Sequence, residues 1–151
     1  MRSQRIAIGD IVRIELDNDS HSYACVLPHA SFAFYDYCGN EELPIEEIVR
    51  KPILFFAAVM ARATKTGRWS KEGHCELDPH LAPPPKFIQD PLNPKSFSLY
   101  FNDGRIVPSS REECTGLERC SVWEPEHIEE RIRDHFAGRE NRWLKLQTIR
   151  E

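Results

Sequence analysis

No stretch of this chain is apolar for long enough to cross a bilayer. The longest apolar run, "ILFFAAVMA" at Ile53 to Ala61, falls far short of the ~20 residues that a spanning helix needs. The opening "MRSQRIAIGD" has neither an apolar h-region nor a cleavage signature. The five cysteines (Cys25, Cys38, Cys75, Cys114, Cys120) are odd in number and scattered, unlike a secreted disulfide framework. These absences point to a cytoplasmic protein with reduced thiols and no membrane partner. Positive charge is also short: 20 Lys and Arg face 24 Asp and Glu, a net charge of -4. A general nucleic-acid binder would carry a basic stripe, so that class is disfavoured. There is no internal repeat, P-loop, nucleophile elbow or oxyanion-type glycine cluster. No convergent set of titratable residues marks an enzyme, and nothing calls for a cofactor.

What is there reads as one domain spanning residues 1–151, with 40% apolar and 29% charged residues, ample for a core without staples. "IVRIEL" alternates, putting Val12, Ile14 and Leu16 on one face and Arg13 and Glu15 on the other, which predicts a strand. "DNDSHS" is turn chemistry, and "YACVL" is the return strand of a hairpin. After Pro28, "SFAFYDY" (residues 31–37) continues as a strand or a bent extension. By parity Phe32 and Phe34 share one face, while Tyr35 and Tyr37 point the other way. Pro44, Ile45, Ile48 and Val49 predict a short helix ended by Pro52. "ILFFAAVMA" then reads as a strand buried on both faces.

Residues 78–95 hold six of the eleven prolines and read as an extended surface connection, with an edge strand at Phe87 and Ile88. "SFSLYF", "NDGR" and "RIVP" read as a hairpin turning at Asp103-Gly104. Pro125 opens and Gly138 closes a C-terminal helix whose buried stripe is Ile128, Ile132 and Phe136. The tail from Asn141 reads as a last strand or an extended arm. The expected architecture is α+β. It comprises a strongly curved, mostly antiparallel β-sheet forming a partial barrel, a short helix after the third strand and a C-terminal helix.

Three sets of residues invite chemistry. His74, Cys75 and His80 lie close in sequence but fail the paired spacings of a structural zinc site, so no metal is read there. Cys38 before Gly39, and Ser31 near His29 and Asp36, can be drawn as partial triads, as in almost any chain. The third set is charge. Residues 1–51 hold nine carboxylates against five cations, while the rest of the chain balances. Asp36, Glu41, Glu42, Glu46 and Glu47, beside Tyr35 and Tyr37, therefore make a candidate surface for steering a basic protein partner. A solvated acidic face is the plainer reading of the same charges.

"GDIVRIEL" from Gly9, "YACVLPHASFAFYD" to Asp36 and "KPILFFAAV" from Lys51, in that order and spacing, resemble the immunity protein 26 family of bacterial polymorphic toxin systems. "GRWSKEG" and "PPPKFIQD" fit the same pattern. The resemblance covers roughly residues 8–90. It implies a non-enzymatic inhibitor that binds the C-terminal domain of a cognate, cytosol-acting toxin and protects the producing cell. It carries no catalytic residues. Phe32, Phe34, Tyr35 and Asp36 match the family pattern. The competing reading is a small β-rich binding module, for nucleic acid or another protein, unrelated to toxins.

Overall fold

A computed structural model describes residues 3–151 of the chain. In chain order its first elements are β1 (Asp10–Glu15), β2 (His21–Val26), β3 (Ser31–Tyr35), α1 (Ile45–Ile48), β4 (Ile53–Val59), α2 (Arg62–Lys65) and β5 (Ser70–His74). There follow β6 (Lys86–Gln89), β7 (Phe97–Tyr100), β8 (Ile106–Ser109), α3 (Arg111–Cys114), β9 (Val122–Trp123), α4 (Pro125–Ala137) and α5 (Arg142–Leu146). The fold is α+β, with two sheets among the described residues. Two compact units are formed. Unit 1 holds the chain up to His80 together with Val122–Asn141, and unit 2 holds Leu81–Ser121 with Arg142–Glu151.

Unit 1 is a six-stranded sheet in the order β5-β1-β2-β3-β4-β9. The order is linear, so β5 and β9 are its two outer strands and hydrogen bonding does not close it into a barrel. Every pairing is antiparallel except β4 with β9, which is parallel. The two tight connections that line up β1, β2 and β3 use left-handed backbone. Asn18 (φ 59) and Asp19 (φ 61) turn the first, and His29 (φ 61) and Ala30 (φ 60) the second. Positive φ at both central residues is what a primed hairpin turn requires to match the twist of its strands. Asn and Asp tolerate it well; Ala30 does so at a cost.

Register fixes two faces. Val12, Ala24, Phe34 and Phe55 pair across the sheet, as do Val26, Phe32 and Ala57, so these side chains share one face. Phe34 is fully buried, stacked on Phe55 at 4.6 Å and edge-on to Trp69 at 5.8 Å. α4 belongs to this unit, and its Ile128 and Ile132 are fully buried. Its Arg131 lays a guanidinium 3.5 Å over the Phe55 ring. Pro125 at its start and Gly138 (φ 69) at its end bracket α4 as the sequence predicts. Phe136 departs from the predicted buried stripe and is 40% exposed.

The opposite face carries His21, Tyr23, Cys25, Ala33 and Tyr35, all buried. The segment after β3 folds back and brings Ile48 into the core. Gly73 on β5 admits Ile45, because a Cβ there would lie 2.8 Å from the isoleucine side chain. Both faces of β2 are thus covered, and all six of its residues are buried.

Unit 2 is smaller. β6, β7 and β8 form an antiparallel sheet, with β7 central. Its core is Phe87, Phe97 and Cys114, with Leu99, Leu117 and Ile149 packed against them. The expected edge strand at Phe87 and the hairpin turning at Gly104 (φ 91) are both present. The tail departs from the expected strand or arm: Arg142–Leu146 is a short helix.

Candidate partner-binding surface

β3 ends at a register shift beside Tyr35, and Asp36 donates its N–H to the Pro52 carbonyl at 2.7 Å. The chain then turns back. His21 and Gly39 exchange backbone hydrogen bonds at 2.8 and 3.2 Å. The Tyr37 hydroxyl bonds the Glu41 carbonyl (3.0 Å) and accepts from the Glu41 N–H (3.2 Å). The Tyr23 hydroxyl accepts from the Leu43 N–H at 3.1 Å and meets His21 Nε2 at 2.9 Å. The rings support one another: Tyr37 lies 5.8 Å from both Tyr23 and His21. Two tyrosine hydroxyls, Tyr23 from β2 and Tyr37 just after β3, therefore hold the loop 39–43 by its backbone, and the backbone of His21 pairs with it at Gly39.

Glu41 and Glu42 are exposed on this loop, and Asp36 before it and Glu46 and Glu47 on α1 are exposed beside it. Arg13 ties it further, bonding Glu15 at 2.6 Å and Glu42 at 2.9 Å. Burial pulls the Arg13 pKa down, but Glu15 and Glu42 outweigh that and hold it above the ordinary value. Lys51 Nζ sits 5.7 Å over the Tyr37 ring. Burial, then the Arg13 charge, lowers the His21 pKa, so the neutral imidazole is favoured beneath the loop. Burial raises the pKa of Tyr23.

One expected contact residue is not on the surface. Tyr35 is only 6% exposed. Burial is the chief reason its pKa is raised, and its hydroxyl pairs with Cys25, whose thiol burial pushes up to about 11. Strand parity did place Tyr35 opposite Phe34, but the folded-back segment covers that face too. Tyr37 is half-buried.

The other sequence candidates do not converge. His74 Nδ1 meets Asp10 Oδ1 at 2.8 Å, and the Cys75 N–H bonds the Gly9 carbonyl, so both serve the β1–β5 edge. No group of three or more His, Cys, Asp or Glu side chains is placed to hold a metal ion among the described residues. Ser31 and Asp36 stand at opposite ends of β3, about 16 Å apart at strand rise. Sequence reasoning missed the anchors His21, Tyr23 and Arg13. Only the alternation of His21 and Tyr23 on one strand face hinted at them.

The described residues thus form an α+β fold in which an acidic loop is tethered by its backbone to a six-stranded sheet. The sequence model for Immunity protein 26 matches residues 7–98, more than half the chain. The chain belongs to the Immunity protein 26 family. No curated protein and no solved structure matches it. No helix among the described residues is long and apolar enough to cross a membrane.

Proposed function

We propose that this protein binds and neutralises a cognate bacterial toxin domain in the cytoplasm of the producing cell, without catalysis of its own. Family membership supports the class of function. The observation that carries the surface is the loop 39–43 held by Tyr23 and Tyr37, which displays Glu41 and Glu42 and is flanked by exposed Asp36, Glu46 and Glu47. Clustered carboxylates raise the encounter rate with a basic partner and favour its positive groove over other surfaces. A toxin domain that acts on a polyanion in the cytosol has such a groove, and occupying it excludes the substrate. The family match runs from unit 1 into unit 2, which supports reading 1–151 as one immunity-type domain. The net charge of -4 weighs against the alternative of a nucleic-acid-binding module.

The test is co-expression with the toxin encoded beside this gene, followed by a pull-down of the pair. Growth rescue and one-to-one binding are expected, and absence of protection removes the immunity reading. Reversing charge at Glu42, Glu46 and Glu47 should weaken binding by at least about tenfold and flatten its salt dependence. Unchanged affinity and salt dependence would remove the acidic surface from the interface.

A further inference from the structure

Unit 2 contains a cleft that the acidic surface does not use. It is lined by Gln89, Asp90, Pro91, Pro94, Arg119 and Arg150 and encloses about 70 Å³. Its floor is a hydrogen-bonded latch. The Gln89 side chain donates to the Pro94 and Arg150 carbonyls at 2.9 Å each, and accepts from the Arg150 N–H at 2.9 Å and Arg119 Nη2 at 3.1 Å. Arg119 also donates to the carbonyls of Gln147 (3.1 Å) and Thr148 (2.9 Å), with its guanidinium 4.8 Å over the Phe87 ring. The latch sets two arginine side chains on one cleft, yet neither forms an ion pair with a carboxylate among the described residues. The neighbouring Arg111 is already paired with Glu151 at 2.7 Å. Burial, then the charge of nearby Arg150, lowers the Arg119 pKa.

The rim is as ordered as the floor. The Asp90 carboxylate accepts from the Leu92 N–H at 2.8 Å, and the Asp90 N–H closes the loop on the Ser96 carbonyl at 3.0 Å. Leu92 stands at its tip, 95% exposed. Two guanidinium groups and one carboxylate leave the cleft a net charge of about +1, which a singly charged carboxylate balances and a phosphate dianion overshoots. With Nε and both Nη2 hydrogens engaged, Arg119 keeps Nη1 to donate to a carboxylate, and the Arg150 guanidinium supplies further charge-assisted donors.

We infer that this cleft is a binding site for a carboxylate group, gripped by Arg119 and Arg150, with Leu92 offering an adjoining apolar contact. The group comes from an acidic side chain of a protein partner or from a free small acid. The inference stands on unit 2 alone and goes beyond the toxin-binding reading, so neither test decides the other.

The experiment is an NMR titration of the labelled full-length protein at constant ionic strength with acetate, inorganic phosphate and a blocked Ala-Asp-Ala peptide. Saturable shifts of the Gln89 side-chain amide and the Arg119 and Arg150 Nε–H groups are expected with acetate and with the peptide. Arg150→Gln should weaken both about fivefold, and Asp90→Asn, which keeps the acceptor for Leu92, should tighten both by a similar factor. Tighter binding of the peptide than of acetate assigns the site to a protein side chain; the reverse order assigns it to a small acid. Absence of saturation, indifference to Arg150→Gln, or phosphate binding more tightly than acetate would each overturn the proposal.

Discussion

Unit 1 and unit 2 hold their chains in order by different means. Unit 1 buries aromatic rings on both faces of a six-stranded sheet, and β2 has no exposed residue. Unit 2 has three buried core side chains and relies on one glutamine and two arginines, Arg119 and Arg111, to fasten residues 147–150. Their charges differ as well. Unit 1 carries eighteen carboxylates and twelve Lys or Arg residues; unit 2 carries six and eight. Where little apolar area is available, side-chain hydrogen bonds to backbone take over the ordering, and removing one such group opens a segment rather than a core.

That contrast is sharpest at Phe34. Phe34→Ala should cost about 3–5 kcal/mol in urea unfolding, because the ring is fully enclosed between Phe55 and Trp69 and its removal leaves a cavity. A loss below about 1 kcal/mol would mean that unit 1 is not held by packing. Glu129→Ala should cost about 2–3 kcal/mol. The Glu129 carboxylate takes the Trp69 indole N–H at 3.0 Å and both arms of Arg68 at 2.7 and 2.8 Å. The stranded buried indole accounts for most of that cost, since Arg68 is 41% exposed and returns to water.

Gln89→Ala should lose about 1–3 kcal/mol, with hydrogen exchange accelerated selectively at residues 147–150. Global exchange at equal rates in both units would break the comparison. The smallest effect is expected from pH. Burial raises the Asp10 pKa, but the Ala7 N–H, His74 and Lys71 outweigh it and leave it depressed below 3.8. A depressed carboxylate contributes stability that is present above 3.8 and is lost as pH falls through the folded-state value. Asp10→Asn should therefore flatten the acid limb of unit 1 stability, read as the urea midpoint against pH.

The elements legible in the sequence are those with a local cause. Alternation marked β1, a turn followed by an apolar run marked β2, aromatic parity marked β3, a run apolar on both parities marked β4, and Pro125 with Gly138 bracketed α4. β5, "SKEGH", has no apolar alternation and exists because its backbone pairs with β1. β9 is two residues long and is recruited by parallel pairing to β4. The five carboxylates were legible as composition. Their anchors were not, because Tyr23 and Leu43 meet across twenty residues of chain and Arg13 and Glu42 across twenty-nine. The burial of Tyr35 was missed for a related reason: period two says which face a side chain takes, not whether that face is covered.

Unit 1 is also discontinuous in sequence, with forty-one residues of unit 2 lying between His80 and Val122. A ribosome adding ~5–20 residues per second needs roughly 2–8 s to cross that insertion. During those seconds β1 to β5 can pair, but β9 and α4 have not been made. The face carrying Phe34 and Phe55 waits without Ile128, Ile132 and Arg131. The nascent protein thus passes through an interval of exposed aromatic surface whose length is set by translation, and faster synthesis of the insertion would shorten its exposure to aggregation.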